Sequence, residues 1–207
     1  MLRFILVLSL ALAPLAAADD GWISLFNGKD LAGWRVNENP ATFSVKDGAI
    51  VASGPRSHLF YDGPVANHQF RNFELKVDVM TEPKANGGIY IMTEYQDKGW
   101  PDKGFEVQVN NSYANDPRRT GSLYQVRDVT DVLVKDNEWF TEHIIVKGDT
   151  ITVLVNGKEV VRWTQPPDWA GTKEFPARKI APGTIALQGH DPGSTTHYRN
   201  IQVRLLR

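Results

Sequence analysis

From residue 20 onward the chain repeats one pattern: short runs in which apolar and polar side chains alternate, separated by Gly, Pro, Asn and Asp. A period of two sends successive side chains to opposite faces of an extended chain, so these runs predict half-buried β-strands. Thr42 to Lys46 and Ala49 to Ala52 flank Asp47-Gly48, a pair that favours the tight turn of a hairpin. Asn156-Gly157 sets a second such turn between Thr150 to Val155 and Lys158 to Trp163. The other predicted strands are His58 to Tyr61, Phe70 to Val79, Gly88 to Thr93, Gly104 to Asn110, Ser122 to Val126, His143 to Lys147, Thr184 to Gln188 and His197 to Leu205. About a dozen short strands, with no amphipathic helix and no internal repeat, predict an all-β sandwich of two antiparallel sheets, jelly-roll-like in architecture.

Three stretches break the alternation and predict long surface loops: Glu94 to Lys103, Asn111 to Gly121 and Gln165 to Pro182. Loops of that length in a compact domain often carry function. The first holds Tyr95 and Trp100 and the last Trp169, aromatics that either meet a ligand or pin the loops to the sheet edges.

The first eighteen residues follow a different pattern: Arg3, then a mostly apolar run from Phe4 to Leu15, then Ala16-Ala17-Ala18. This is the three-part pattern of a cleavable signal peptide, with cleavage expected after Ala18 and a periplasmic or secreted location. The apolar run falls short of the roughly 20 residues that span a bilayer. The rest, about 189 residues, fits one domain over residues 19–207. There is no cysteine, so neither a disulfide nor a lipoprotein anchor is available and stability must come from the core. One of the 23 basic side chains, Arg3, leaves with the leader, so 22 face 24 acidic ones, scattered along the chain. Near-neutrality without clustering argues against nucleic acid or an anionic membrane as partner.

The alternation also sorts candidate chemistry by face. In Gly104 to Asn110, Phe105, Val107 and Val109 point to the core, which puts Glu106, Gln108 and Asn110 on the opposite face. The same rule sends Ile89 and Ile91 inward and leaves Tyr90, Met92 and Glu94 outside, while Gln188 lies out of phase with Ile185 and Leu187, beside His190. An acid, carboxamides and aromatic rings on one sheet face suit sugar hydroxyls, although any one of them alone is more often a solvated side chain. A retaining glycosidase needs two carboxyl groups roughly 5 Å apart. The companions of Glu106 on its strand are amides, and Glu94 is the remaining option for a second carboxylate. Phosphate-loop, dinucleotide-binding, Ser-His-Asp and zinc-spacing signatures are missing.

Several motifs follow one another in order: Gly21 to Trp34, Gly88-Ile-Tyr90, Gly104 to Gln108, Thr120 to Tyr124, Asn137-Glu-Trp139, Asn156-Gly157, Leu187 to His190 and Tyr198 to Ile201. Together they resemble the 3-keto-disaccharide hydrolase family, a concanavalin/lectin-like jelly roll. The resemblance implies a substrate whose C3 hydroxyl is already a ketone. Such a ketone acidifies the C2 proton, so a base, an enolate stabiliser and a leaving-group acid suffice for cleavage by elimination and hydration. Under this resemblance Glu106 is the base or a metal or hydroxyl ligand, and His190 the acid or enolate stabiliser. Gln108, Gln188 and Tyr124 orient the sugar, with Tyr90 and Glu94 beside them. Tyr95 and Trp100 stack on its apolar face, Arg56 and His58 close one end of the cleft, and Lys135 is a further cation for the enolate. A divalent metal ion is a possible cofactor, with no ligand spacing to define it. Two other readings stay open: a carbohydrate-binding module without catalysis, and a conventional glycosidase using Glu94 and Glu106.

Overall fold

A computed structural model describes residues 20–207; the expected leader lies outside the described residues. Thirteen strands are formed there: β1 (Trp22–Ser24), β2 (Trp34–Val36), β3 (Phe43–Lys46), β4 (Ala49–Ser53), β5 (Ser57–Tyr61), β6 (Phe73–Thr81) and β7 (Gly87–Thr93), followed by β8 (Phe105–Val109), β9 (Phe140–Lys147), β10 (Thr150–Val155), β11 (Lys158–Thr164), β12 (Thr184–Gly189) and β13 (Thr195–Leu205). They build two antiparallel sheets. Eight strands run in the order β11-β10-β9-β6-β13-β4-β3, with β1 joined to β13, and five run β2-β5-β12-β7-β8. This is the sandwich that the alternation predicts. Among the described residues no helix is long and apolar enough to cross a membrane.

The core lies between the sheets. Leu75, Val77 and Val79 of β6 and Ile144 and Val146 of β9 face Ile89, Ile91, Phe105, Val107, Val109, Ile185 and Leu187, all without solvent exposure. Burial of each such side chain contributes roughly 1.5–3 kcal/mol, and the reciprocal effect is that every second residue of β7, β8 and β12 is presented on the far face of the five-stranded sheet. The Asp47-Gly48 hairpin forms as predicted, both residues at positive φ (50° and 77°).

Several details depart from the sequence reading. β1 and β2, of three residues each, are too short to show a period. Ser122 to Val126 is not a strand: Leu123 makes single bridges to Val107 and Arg127, and Gln125 at φ 61° turns the chain. Phe70 bridges Gly183 ahead of β6, which starts only at Phe73. Met92 takes φ 54° where the pairing of β7 with β12 shifts register, and this bulge rotates its side chain into the core instead of leaving it beside Tyr90.

β9 extends three residues upstream of the predicted start, and the extension puts Glu142 in phase with Phe140, Ile144 and Val146. Its carboxyl is fully buried between Val77 and Val155 on the neighbouring strands, and among the described residues neither oxygen accepts a well-formed hydrogen bond. Burial pushes it well above the ordinary 4.5, against an opposing pull from the Gly121 N–H. A carboxyl that holds its proton more tightly when folded stabilises the fold below its unfolded pKa, and that contribution is lost as pH rises through the folded pKa. Glu142→Gln keeps the shape and cannot ionise. Thermal melts between pH 5 and pH 8 are therefore expected to show wild type losing stability relative to Glu142→Gln as pH rises, by several degrees at the upper end. Parallel curves would refute this.

Candidate functional site

On the far face of the five-stranded sheet, register brings Phe60, Ala186, Tyr90 and Glu106 into one cross-strand row over β5, β12, β7 and β8. One step along the strands His58 lies opposite Gln188, and Gly88 opposite Gln108. Glu106 is the centre of this arrangement. Tyr90 donates from its hydroxyl to Oε2 at 2.8 Å, and Gln188 donates from Nε2 to Oε1 at 2.8 Å. Space for the carboxylate depends on Gly88: a Cβ there would lie 2.7 Å from Oε1 and 3.0 Å from Cγ.

The loops then wall this face into a cavity of about 240 Å³, lined among others by Asn86, Tyr90, Trp100, Glu106, Gln108, Tyr124, Gln188 and His190. Of the residues marked out by sequence, Glu106, His190, Gln108, Gln188, Tyr124, Tyr90 and Trp100 are brought together here. Burial raises the Glu106 carboxyl above the ordinary glutamate value although Arg178, Tyr90 and Gln188 all draw it down. The Tyr90 hydroxyl is driven well above its usual range by burial and by the neighbouring carboxylate. His190 Nδ1 pairs with Asp191 Oδ2 at 2.6 Å, and Ser194 Oγ and the Gly193 N–H fix that carboxylate in turn. Burial pushes Asp191 up, but these hydrogen bonds outweigh it and hold the group below the ordinary value. Nε2 is thus the ring nitrogen of His190 left for a substrate.

Sequence reasoning missed Arg178. It comes from the Gln165 to Pro182 loop, is fully buried, and lies with Cζ 3.8 Å from the Phe175 ring centroid. Nη1 donates to the Tyr124 carbonyl at 3.3 Å, while Nη2 stands 3.8 Å from Glu106 Oε2. Nε and Nη2 make no hydrogen bond among the described residues, and the side-chain carbonyls of Gln108 and Gln188 are likewise free. The buried site therefore keeps unused donors on one group and unused acceptors on two others. Asn86 and Asp191 were also missed, the former donated to by Gln108 Nε2.

The other marked residues lie elsewhere. Lys135, expected as a cation for the site, projects into solvent from the loop ahead of β9 and pairs with Glu138 at 3.8 Å; its chain direction there follows Asn111, which binds the Lys135 carbonyl. Glu94 follows the Met92 bulge, is exposed, and pairs with Lys103 at 2.5 Å. Tyr95 packs on Phe60 and under Arg35, and both it and Glu94 line a separate hollow. Arg56 is held by Glu38 at 3.0 Å behind Trp100. His58 is buried edge-on between Tyr90 and Trp100, ring centroids 5.3 and 5.6 Å away, and burial lowers it to about 3, so it is a neutral packing group. Asn110 turns into the second loop: its Nδ2 donates to the carbonyls of Tyr113, Asp116 and Arg118, which shapes the wall carrying Asp116. Among the described residues no three His, Cys, Asp or Glu side chains converge as metal ligands. Both Glu106 oxygens already accept from neutral donors with a guanidinium beside them, a set that does not fit a divalent cation.

Residues 21–204 match the family described as 3-keto-alpha-glucoside-1,2-lyase-like domain. A 3-keto-disaccharide hydrolase of Bacteroides thetaiotaomicron is 25% identical over 231 residues, covering 90% of this chain and 79% of the relative. A proposed glycosyl hydrolase from Parabacteroides distasonis superposes with a TM-score of 0.78 at 21% identity, covering 93% of this chain and 99% of that one. A second from the same organism gives 0.68 at 28% identity, over 89% and 99%. The carbohydrate-binding module CBM66 from Bacillus subtilis shares the fold, with a TM-score of 0.56 at 12% identity over 83% of this chain and 95% of that one.

Proposed function

Since the chain belongs to the 3-keto-alpha-glucoside-1,2-lyase-like family, we propose that it cleaves glycosides whose C3 hydroxyl has been oxidised to a ketone, with Glu106 as the base. The observation that carries this is the buried carboxylate on the sheet, ringed by neutral donors, a guanidinium and a His–Asp pair. The acids on the loop walls, Asp116 and Glu174, are engaged by Arg118 and Gln125.

Glu106 removes the C2 proton, and the electron pair moves into a C2–C3 double bond, which leaves negative charge on the former ketone oxygen. Arg178, buried behind the cavity with Nη2 3.8 Å from Glu106 Oε2, supplies the positive charge that favours this anion. Return of the pair forms the C1–C2 double bond and expels the glycosidic oxygen, which takes a proton from His190 Nε2. Water then adds at C1, giving its proton to His190 Nε2, while Glu106 returns its proton to C2. The elevated pKa of a buried glutamate makes it a stronger base near neutral pH than a solvated one.

The test offers the protein a 3-keto-glucoside and its unoxidised parent. Release of the leaving group from the ketone alone is expected. Release from neither overturns the proposal, and saturable binding of the parent without turnover would make the chain a carbohydrate-binding module. Gly88→Ala probes the geometry: its Cβ displaces the Glu106 carboxylate, so kcat is expected to fall by about 10²-fold with a smaller loss of stability, about 1–3 kcal/mol. A normal kcat in Gly88→Ala would show that the carboxylate position does not matter.

A further inference from the structure

The hollow that takes Glu94 and Tyr95 is as large as the first cavity, about 240 Å³, and opens on the same sheet face. The ridge of Phe60, Tyr90 and Ala186 separates the two. Thr184 marks the second hollow on β12 and Gln188 the first, four residues or about 13 Å apart at the strand rise. One loop serves both, since Tyr95 faces the second and Trp100 the first.

Two features of this hollow call for an explanation that packing does not supply. Its rim carries exposed Arg35, Asp62, Gln69 and Glu94 with half-buried His68, polar groups that no core needs. In addition, Ala66, Asn67 and His68 all hold positive φ, 52°, 49° and 47°, in the turn that brings His68 and Gln69 to the rim. Asn and His tolerate that region, whereas Ala is strained in it, and such strain collects where a ligand is clamped.

We propose that this hollow is a second binding site, for a neutral sugar ring that is not the one being cleaved. Arg35 and Lys103, the latter paired with Glu94, offset Asp62 and Glu94, so neither an anion nor a cation is favoured. A polyol, whose hydroxyls both donate and accept, matches a wall of carboxylates, a guanidinium and the Gln69 amide. Half-buried Tyr95, one face of its ring under Arg35, is the aromatic group of this wall, with buried Phe60 packed against it. A separation of about 13 Å makes it a distal unit of a longer glycan or a separate molecule, not the neighbouring ring of a disaccharide. The choice of a sugar among neutral polyols rests on the function proposed above; the existence and charge preference of the site do not.

The experiment uses amide NMR on Glu106→Gln protein titrated with cellobiose, maltose, glycerol and inorganic phosphate to about tens of millimolar, the range for weak glycan sites. Saturable shifts at residues 66–69, 93–95 and 184 with a disaccharide, weakened at least tenfold in Arg35→Met/Asp62→Asn, are the expected result. The same double substitution on the wild-type background is expected to leave kcat on a small 3-keto-glucoside unchanged. Shifts confined to the first cavity, no saturable shift, or stronger binding of phosphate would each overturn the proposal. Sugar binding here with no turnover of any keto sugar would instead reject the catalytic reading and leave this site standing.

Discussion

Glu106→Gln is expected to lower kcat on a 3-keto-glucoside by about 10²–10⁴-fold, the range for removal of a general base, while the protein still folds. The amide has the shape of the carboxylate and can still accept from Gln188, and the Tyr90 hydroxyl, which donates at 2.8 Å, can reverse to accept from the new amide. Binding is expected to survive, so KM changes little and the loss falls on kcat. The pH profile gives a second check. Burial holds the Glu106 carboxyl above 4.5, so the acid limb of kcat/KM in wild type lies above that value, with activity rising as the group deprotonates. Glu106→Asp keeps a carboxylate but draws it back by one methylene, so it restores part of the rate. Full activity in Glu106→Gln, or an unaltered acid limb in Glu106→Asp with full rate, removes Glu106 from the role of base.

The strands around this carboxylate are legible in the sequence because β8 alternates without interruption: Phe105, Val107 and Val109 have to be buried, and Glu106 and Gln108 are left no choice of face. Tyr90 and Gln188 follow for the same reason. The rule fails where backbone geometry breaks the period, and nothing in Met92-Thr93-Glu94 announces a left-handed residue at Met92, so alternation alone assigns Glu94 to the wrong cavity. Starting β9 at His143 instead of Phe140 hides Glu142; three more residues show an acid in the buried phase. Lys135 is near Glu138-Trp139 in sequence, but a loop residue's direction depends on what its backbone is tied to, here Asn111. Arg178 has only one signal, its place in a long irregular loop, because a side chain that reaches across to another strand leaves no period. Asp191 is within reach of sequence reasoning, being next to His190 and followed by Pro-Gly-Ser194, a sequence suited to a turn that the aspartate caps itself.

Arg178→Met is expected to cost as much in kcat as loss of an oxyanion donor, about 10²–10³-fold, and to destabilise the fold as well. The guanidinium is fully buried and is the strongest influence drawing the Glu106 carboxyl down against burial. Without it the carboxyl rises further, so the acid limb of the pH profile moves to higher pH, a change that a purely structural role for Arg178 would not produce. Removing one partner of a buried pair leaves the other charge uncompensated, at about 3–5 kcal/mol, with the 3.8 Å separation and missing hydrogen bond placing this pair toward the low end. Glu106→Gln/Arg178→Met removes both charges, so its melting point is expected to recover toward wild type while activity stays lost. Arg178→Lys keeps a charge but not the planar fork above Phe175, and is expected to hold the acid limb near its wild-type position with an intermediate kcat. If the double variant is no more stable than the sum of the two single losses, the two groups are not coupled, and the charge on the enolate must be stabilised by the side chains that line the cavity.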